Sequence, residues 1–146
     1  MSYLDDFEHD FMRRTLKIVQ DYEGDYDATI LVNCLLGLLV VPKERFLKAI
    51  PEDPLSELSK WGINPKSIIE VGRPTKDKKK NPHPDTLRGV VYNLRNSVAH
   101  FRLEPIPRTG EVHSFDFATD SGFHAVIKLD DMRNFINKLA GHLDRH

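Results

Sequence analysis

Sulfur is almost missing from this chain, with one cysteine, Cys34, among 146 residues. A single thiol excludes an internal disulfide and a thiolate zinc site, and its place inside an apolar run suits a buried side chain in a reducing compartment. An excess of charge is missing as well. Twenty-one Lys and Arg face 22 Asp and Glu, a net charge of −1. The overall field therefore does not draw the molecule to nucleic acid, and any such contact has to come from a local patch. Long apolar runs are absent too: the longest, Ala28 to Val41, contains Asn33 and falls short of the roughly 20 residues a membrane span needs. The N-terminus, Met1-Ser2-Tyr3-Leu4-Asp5-Asp6, is acidic and amphipathic and lacks a signal-peptide layout. These absences lead us to expect a cytoplasmic protein with no membrane partner. What is present is an ordinary globular composition, 40% hydrophobic and 29% charged, in a length that suits one domain around one core.

Apolar periodicity predicts four long helices. Leu4, Phe7, Phe11, Ile18, Val19 and Tyr22 recur at helical spacing over residues 3–22, with Ser2 and Asp5 as a cap and Gly24 as the stop. Asp27 opens a second helix that is apolar nearly all round and ends at Pro42. Its β-branched residues also suit a strand, but its length and lack of alternation favour a helix. Residues 43–71 read as short helical pieces around Arg45–Ile50, Leu55–Trp61 and Lys66–Val71, and residues 72–84 as an exposed basic loop. A third helix runs from Asp85 to about Phe101, with Leu87, Val90, Val91, Leu94, Val98 and Phe101 as its buried stripe. Within 101–130, Val112–Phe117 and Phe123–Leu129 alternate around Asp120-Ser121-Gly122, the pattern of a β-hairpin. A last helix from Asp130 carries Met132, Phe135, Ile136, Leu139 and Leu143 on one face. The expected fold is mostly α: a four-helix up-and-down bundle with short extra helices and an inserted β-hairpin before the last helix.

The segment Arg95-Asn96-Ser97-Val98-Ala99-His100 carries the chemistry. An arginine five residues before a histidine says little alone, since Arg108 and His113 share the spacing; those two fall in a Pro/Gly loop and a strand. At 95–100 the same spacing sits at the end of an amphipathic helix, where a rigid element holds the groups. Asn96 and His100 lie one turn apart, while Arg95 is turned about 140° from His100. Histidine changes charge near neutral pH and so suits taking a proton from a ribose 2′-hydroxyl or giving one to a leaving 5′-oxygen. The planar fork of Arg95 matches phosphate oxygens as their charge grows, and Asn96 orients the imidazole or the substrate. This cleavage requires no metal or other cofactor. It does require an acid and a base, and one motif supplies one histidine; a two-fold homodimer brings two.

Leu94-Arg95-Asn96-Ser97-Val98-Ala99-His100-Phe101 resembles the signature of HEPN (higher eukaryote and prokaryote nucleotide-binding) domains, an arginine and a polar residue followed by three variable residues and a histidine. Asp27–Glu44, ending Leu35-Leu36-Gly37-Leu38-Leu39-Val40-Val41-Pro42-Lys43-Glu44, is similar to a subgroup of small prokaryotic HEPN proteins often carried on plasmids. The resemblance implies one HEPN-like domain over residues 1–146, dimerising with its motifs at the interface. It further implies a metal-independent endoribonuclease of the toxin–antitoxin or defence type, with Arg95, Asn96 and His100 catalytic and an antitoxin or regulatory protein as a further partner. Other HEPN proteins bind a protein partner or nucleotide without catalysis, and that alternative stays open.

Outside the motif, Arg102, Lys76, Lys78, Lys79 and Lys80 are candidates for gripping an RNA backbone. A straight third helix rising 1.5 Å per residue places its start about 24 Å from His100, so within one protomer the lysines fall at the far end. His142 and His146 have the one-turn spacing of metal pairs, but no third ligand accompanies them. His113 and His124 either face each other across the hairpin or pack with Phe115, Phe117 and Phe123.

Overall fold

The apolar run after Ala28 folds as a helix. In the computed structural model, which describes residues 7–21, 27–40, 48–74 and 83–144, α2 spans Asp27–Val40 and buries Leu31, Cys34 and Leu35. A helix meets its backbone hydrogen bonds internally, so an element apolar on every side is buried most cheaply in that form. Burial pushes the Cys34 thiol above its ordinary pKa, an effect the charge of Arg133 partly offsets. The helix α1, Phe7–Asp21, packs on α2 and on the last helix, α4, Leu129–Asp144. Val19 of α1 is fully buried, whereas Ile18 is half-exposed. The expected caps Ser2, Asp5 and Gly24, the apolar Leu4 and Tyr22, and the helix-ending Pro42 lie outside the described residues. Along α4, Met132, Phe135, Ile136, Leu139 and Leu143 are buried as their spacing predicts. Among the described residues, no helix is long and apolar enough to cross a membrane.

The third long helix, α3, covers Leu87–Ala99. Its N-cap is Thr86 rather than Asp85: the Thr86 hydroxyl accepts the Gly89 N–H at 3.1 Å and donates to the His83 carbonyl at 2.8 Å. Leu87, Val90, Val91, Leu94 and Val98 form the buried stripe. Phe101 does not belong to it. The helix stops at Ala99, Phe101 takes φ +56°, and its side chain is 85% exposed. The periodic pattern carried the stripe to Phe101, two residues past the end of the helix and onto the residue where the backbone reverses.

The expected four-helix bundle with a hairpin insertion is wrong, because residues beyond 101 build a full layer of the core. Among the described residues there are four strands, β1 (Ile68–Glu70), β2 (Leu103–Arg108), β3 (Glu111–Ala118) and β4 (His124–Lys128). They form one antiparallel sheet in the order β1-β4-β3-β2. Leu103, Phe115, Phe117, Ala125 and Ile127 are buried from the sheet and join a single cluster with the buried residues of α1, α2, α3 and α4. The fold is therefore mixed α and β. The predicted hairpin is β3–β4, with Phe115 opposite Ile127 and Phe117 opposite Ala125.

Two strands escaped the sequence pattern for different reasons. β2 contains Pro105 and Pro107, which read as loop residues, but it lies at a sheet edge where a missing N–H is tolerated. A two-residue turn with Thr109 at φ +51° and Gly110 at φ +83° joins it to β3. β1 falls in the piece expected to be helical over Lys66–Val71, which is instead a 3-10 turn, Pro65–Ser67, followed by three residues that pair with β4. Three residues are too few to show a period. Leu55–Trp61, expected as a short helical piece, is a 3-10 helix ending at Gly62 with φ +87°. Only residues 48–50 of the piece around Arg45–Ile50 are described.

Candidate functional site

The end of α3 is closed by its own backbone. The Arg102 N–H donates to the Ser97 carbonyl at 2.7 Å and the Phe101 N–H to the Val98 carbonyl at 3.0 Å. These are the paired bonds of a Schellman turn, which leaves the residue between the two flanks in a left-handed conformation. Ser97 adds a side-chain bond: its hydroxyl, fully buried, donates to the Arg102 carbonyl at 2.6 Å. The same carbonyl accepts the Ala118 N–H at 3.1 Å, which ties the turn to the end of β3. His100, the C-cap, and Arg102 thus sit on a tightly bonded corner between helix and sheet.

Beside this corner lies a cleft of about 340 Å³. One wall is α3, where Tyr92, Asn96 and His100 recur every fourth residue and so stack in one row. Asn93, on the same side, is buried and accepts a hydrogen bond from the Ser121 hydroxyl at 3.5 Å. The opposite wall is the β3–β4 turn, contributing Thr119, Asp120 and Ser121, with Arg102 between the walls. The turn is shaped by Thr119 N–H to Phe123 carbonyl and Gly122 N–H to Thr119 carbonyl bonds, both 3.1 Å. It is also pinned from outside: the Arg73 backbone N–H reaches the Ser121 carbonyl at 2.8 Å and its guanidinium reaches the Asp120 carbonyl at 3.1 Å. The carboxylate of Asp120 forms an ion pair with Arg102. Both side chains are half or more exposed, so water screens the pair and a competing anion can exchange for Asp120.

Of the residues singled out from the sequence, Asn96, His100 and Arg102 come together in this cleft. Arg95 does not line it: half-buried on a neighbouring face of α3, it forms no hydrogen bond or ion pair with the described residues. Lys76, Lys78, Lys79 and Lys80 lie outside the described residues. The basic segment 72–84 nevertheless begins at the cleft, through Arg73, and not only at the far start of α3. Reasoning from the helix length alone located just one of its two ends.

The remaining candidates do not line the cleft among the described residues. His142 hydrogen-bonds the Ala49 carbonyl at 2.9 Å and meets Trp61 edge-on, with ring centroids 5.3 Å apart; His146 lies outside the described residues. His124 lies opposite Ala118 and holds the Asp116 carboxylate at 2.9 Å, while His113 sits at the other end of the hairpin, so the two histidines do not face each other. Arg108 ends β2 and His113 lies on β3, so that matching pair has no helix in common.

Sequence reasoning missed Tyr92, Asn93, Thr119, Asp120 and Ser121. Tyr92 was within reach, because it extends the row of Asn96 and His100 by one turn. Asp120 and Ser121 read only as part of a turn and Thr119 carried no signal; their approach to α3 is a product of the sheet.

A family model described as HEPN pEK499 p136 matches residues 1–146, the whole chain. No curated protein and no solved structure matches it.

Proposed function

Because the chain belongs to the HEPN pEK499 p136 family, we propose that it is one HEPN domain that cleaves RNA as a homodimer, without a metal, in a cytoplasmic toxin–antitoxin or defence setting. The observation that carries this reading is the convergence of His100, Asn96 and Arg102 in one cleft at a rigid helix end. In the reaction, His100 of one protomer takes the proton of a ribose 2′-hydroxyl. The freed oxygen attacks the adjacent phosphorus, the bond from phosphorus to the 5′-oxygen breaks, and the second His100 gives that oxygen a proton. A 2′,3′-cyclic phosphate and a 5′-hydroxyl result. Arg102 bears phosphate charge within the cleft and Asn96 orients the imidazole one turn away.

Two observations support a dimer. One cleft contains one His100 where the chemistry needs an acid and a base, and Arg95 lies outside the cleft of its own protomer. A two-fold contact along α3 gives Arg95 a phosphate to stabilise across the interface. An antitoxin or regulatory protein that covers the α3 corner is the further partner of this reading. The Asp120 carboxylate, which already neutralises Arg102, favours as a second reading a non-catalytic module that binds a protein partner or nucleotide.

The test is to incubate the protein with single-stranded and structured RNA in EDTA and to identify the termini formed. Cleavage to cyclic-phosphate ends that disappears in His100→Ala and Arg95→Ala supports the ribonuclease. Equal cleavage by those variants refutes the assignment, and a wild-type protein that binds but never cuts supports the second reading.

A further inference from the structure

Phe101 combines a positive φ with the greatest exposure among the exposed large hydrophobic residues described, Ile18, Ile69 and Phe101. It is an aromatic residue with 85% of its surface in water, in a fold that buries Phe115, Phe117, Phe123 and Phe135. Its φ of +56° is a conformation that bulky side chains rarely adopt and that glycine takes freely. It therefore adds nothing to the core while burdening the backbone. Disfavoured conformations of this kind persist where surrounding bonds enforce them, and they concentrate at functional sites. Here the enforcing bonds are those of the Schellman turn and the Ser97 hydroxyl. The residues on either side of it, His100 and Arg102, both line the cleft.

We propose that Phe101 is a stacking platform for an unpaired nucleobase of the strand held at the His100 cleft, which makes single-stranded RNA the substrate class. This rests on the ribonuclease reading above and deepens it. A nucleotide has two chemically unlike halves, and the corner offers a partner to each. The positive charge of Arg102 faces phosphate, while an exposed aromatic ring one residue away offers a π-face to the base. A base already paired in a duplex has no free face for a side chain, whereas an unpaired base has. Stacking tolerates every base, so Phe101 selects for strandedness rather than sequence.

The experiment uses the full chain and a 2′-O-methyl hexanucleotide of mixed sequence bearing 2-aminopurine, a probe that cannot be cut. Stacking quenches its fluorescence and reports affinity. Wild-type protein is expected to quench and bind it. Phe101→Gly is expected to weaken binding about 5- to 150-fold, the contribution of one stacked base. The same variant melts no lower than wild type, since glycine relieves the left-handed residue, so lost binding cannot be laid to misfolding. Phe101→Trp retains the quenching. Unchanged affinity in Phe101→Gly overturns the proposal, as does equal binding of the blunt duplex that the probe forms with its complement. A change of oligomeric state in Phe101→Gly by light scattering also overturns it, assigning the ring to a second copy of the chain. Binding that depends on Phe101 in a protein that never cuts RNA refutes the ribonuclease and keeps the platform. Cleavage that depends on His100 with Phe101→Gly indistinguishable from wild type does the reverse.

Discussion

Removing the Ser97 hydroxyl tests whether the motif's interior is structural. In Ser97→Ala the 2.6 Å bond to the Arg102 carbonyl is lost. A hydrogen bond of this kind contributes about 0.5–1.5 kcal/mol net, and more only if a buried partner is left with nothing. The Arg102 carbonyl is not left with nothing, because the Ala118 N–H still donates to it at 3.1 Å. Alanine also has the higher helix propensity at this position, which returns up to about 0.5 kcal/mol. The expected cost is therefore small, about 0.5–1 kcal/mol, or roughly 1–4 °C in melting temperature for a chain of this size. The effect on cleavage is expected to be larger than that fall suggests, since His100 and Arg102 flank the turn that the hydroxyl holds. Thermal denaturation gives the first quantity, amide exchange at Arg102 reports loosening of the turn, and single-turnover cleavage gives the last. A loss above about 3 kcal/mol refutes the claim that Ala118 keeps the carbonyl satisfied. Unchanged stability together with unchanged Arg102 exchange refutes the bond itself.

Gly89→Ala is expected to destabilise the fold by about 1–3 kcal/mol or more in denaturant titration, because a Cβ there would stand 2.0 Å from the His83 carbonyl oxygen and 2.8 Å from the Pro84 Cα, both backbone. Recovery of wild-type stability would mean that residues 83–84 can move off α3. Asp120→Asn is expected to cost no more than about 1 kcal/mol of stability, the range of exposed ion pairs. It should also tighten RNA binding, measured by filter retention at low and high salt, since it frees Arg102 and removes a negative charge from the cleft. Weaker binding would show that Asp120 orients Arg102 rather than competing for it.

The sheet also explains why the cleft exists. An isolated α3 presents Tyr92, Asn96 and His100 as a row of polar groups in open water. The β3–β4 turn supplies a facing wall, and Arg73, arriving from the end of β1, pins that wall by bonds to the Asp120 and Ser121 carbonyls. The carbonyl of Arg102, shared between Ser97 and Ala118, joins helix and sheet at the corner. The residues expected to do chemistry are thus held by others that carry no chemical signature.

What the sequence determined alone is whatever a short window decides. The burial stripes of α3 and α4 and the β3–β4 hairpin follow from spacings of two, three or four residues within one stretch of chain, and the helical state of α2 from the length of its apolar run. What only the tertiary structure decided is whatever depends on partners far along the chain. The three residues of β1 are a strand because β4 is beside them, and the prolines of β2 are tolerated because that strand lies at an edge. Together they turn an expected helical bundle into a mixed fold. Asp120 comes to line the cleft because the sheet folds its turn onto α3, and Arg95 does not line it because it lies on a neighbouring face of the helix. Phe101 lies at the boundary between the two kinds of knowledge. Its spacing placed it in the core, and a backbone reversal that no local pattern announces put it in water beside His100.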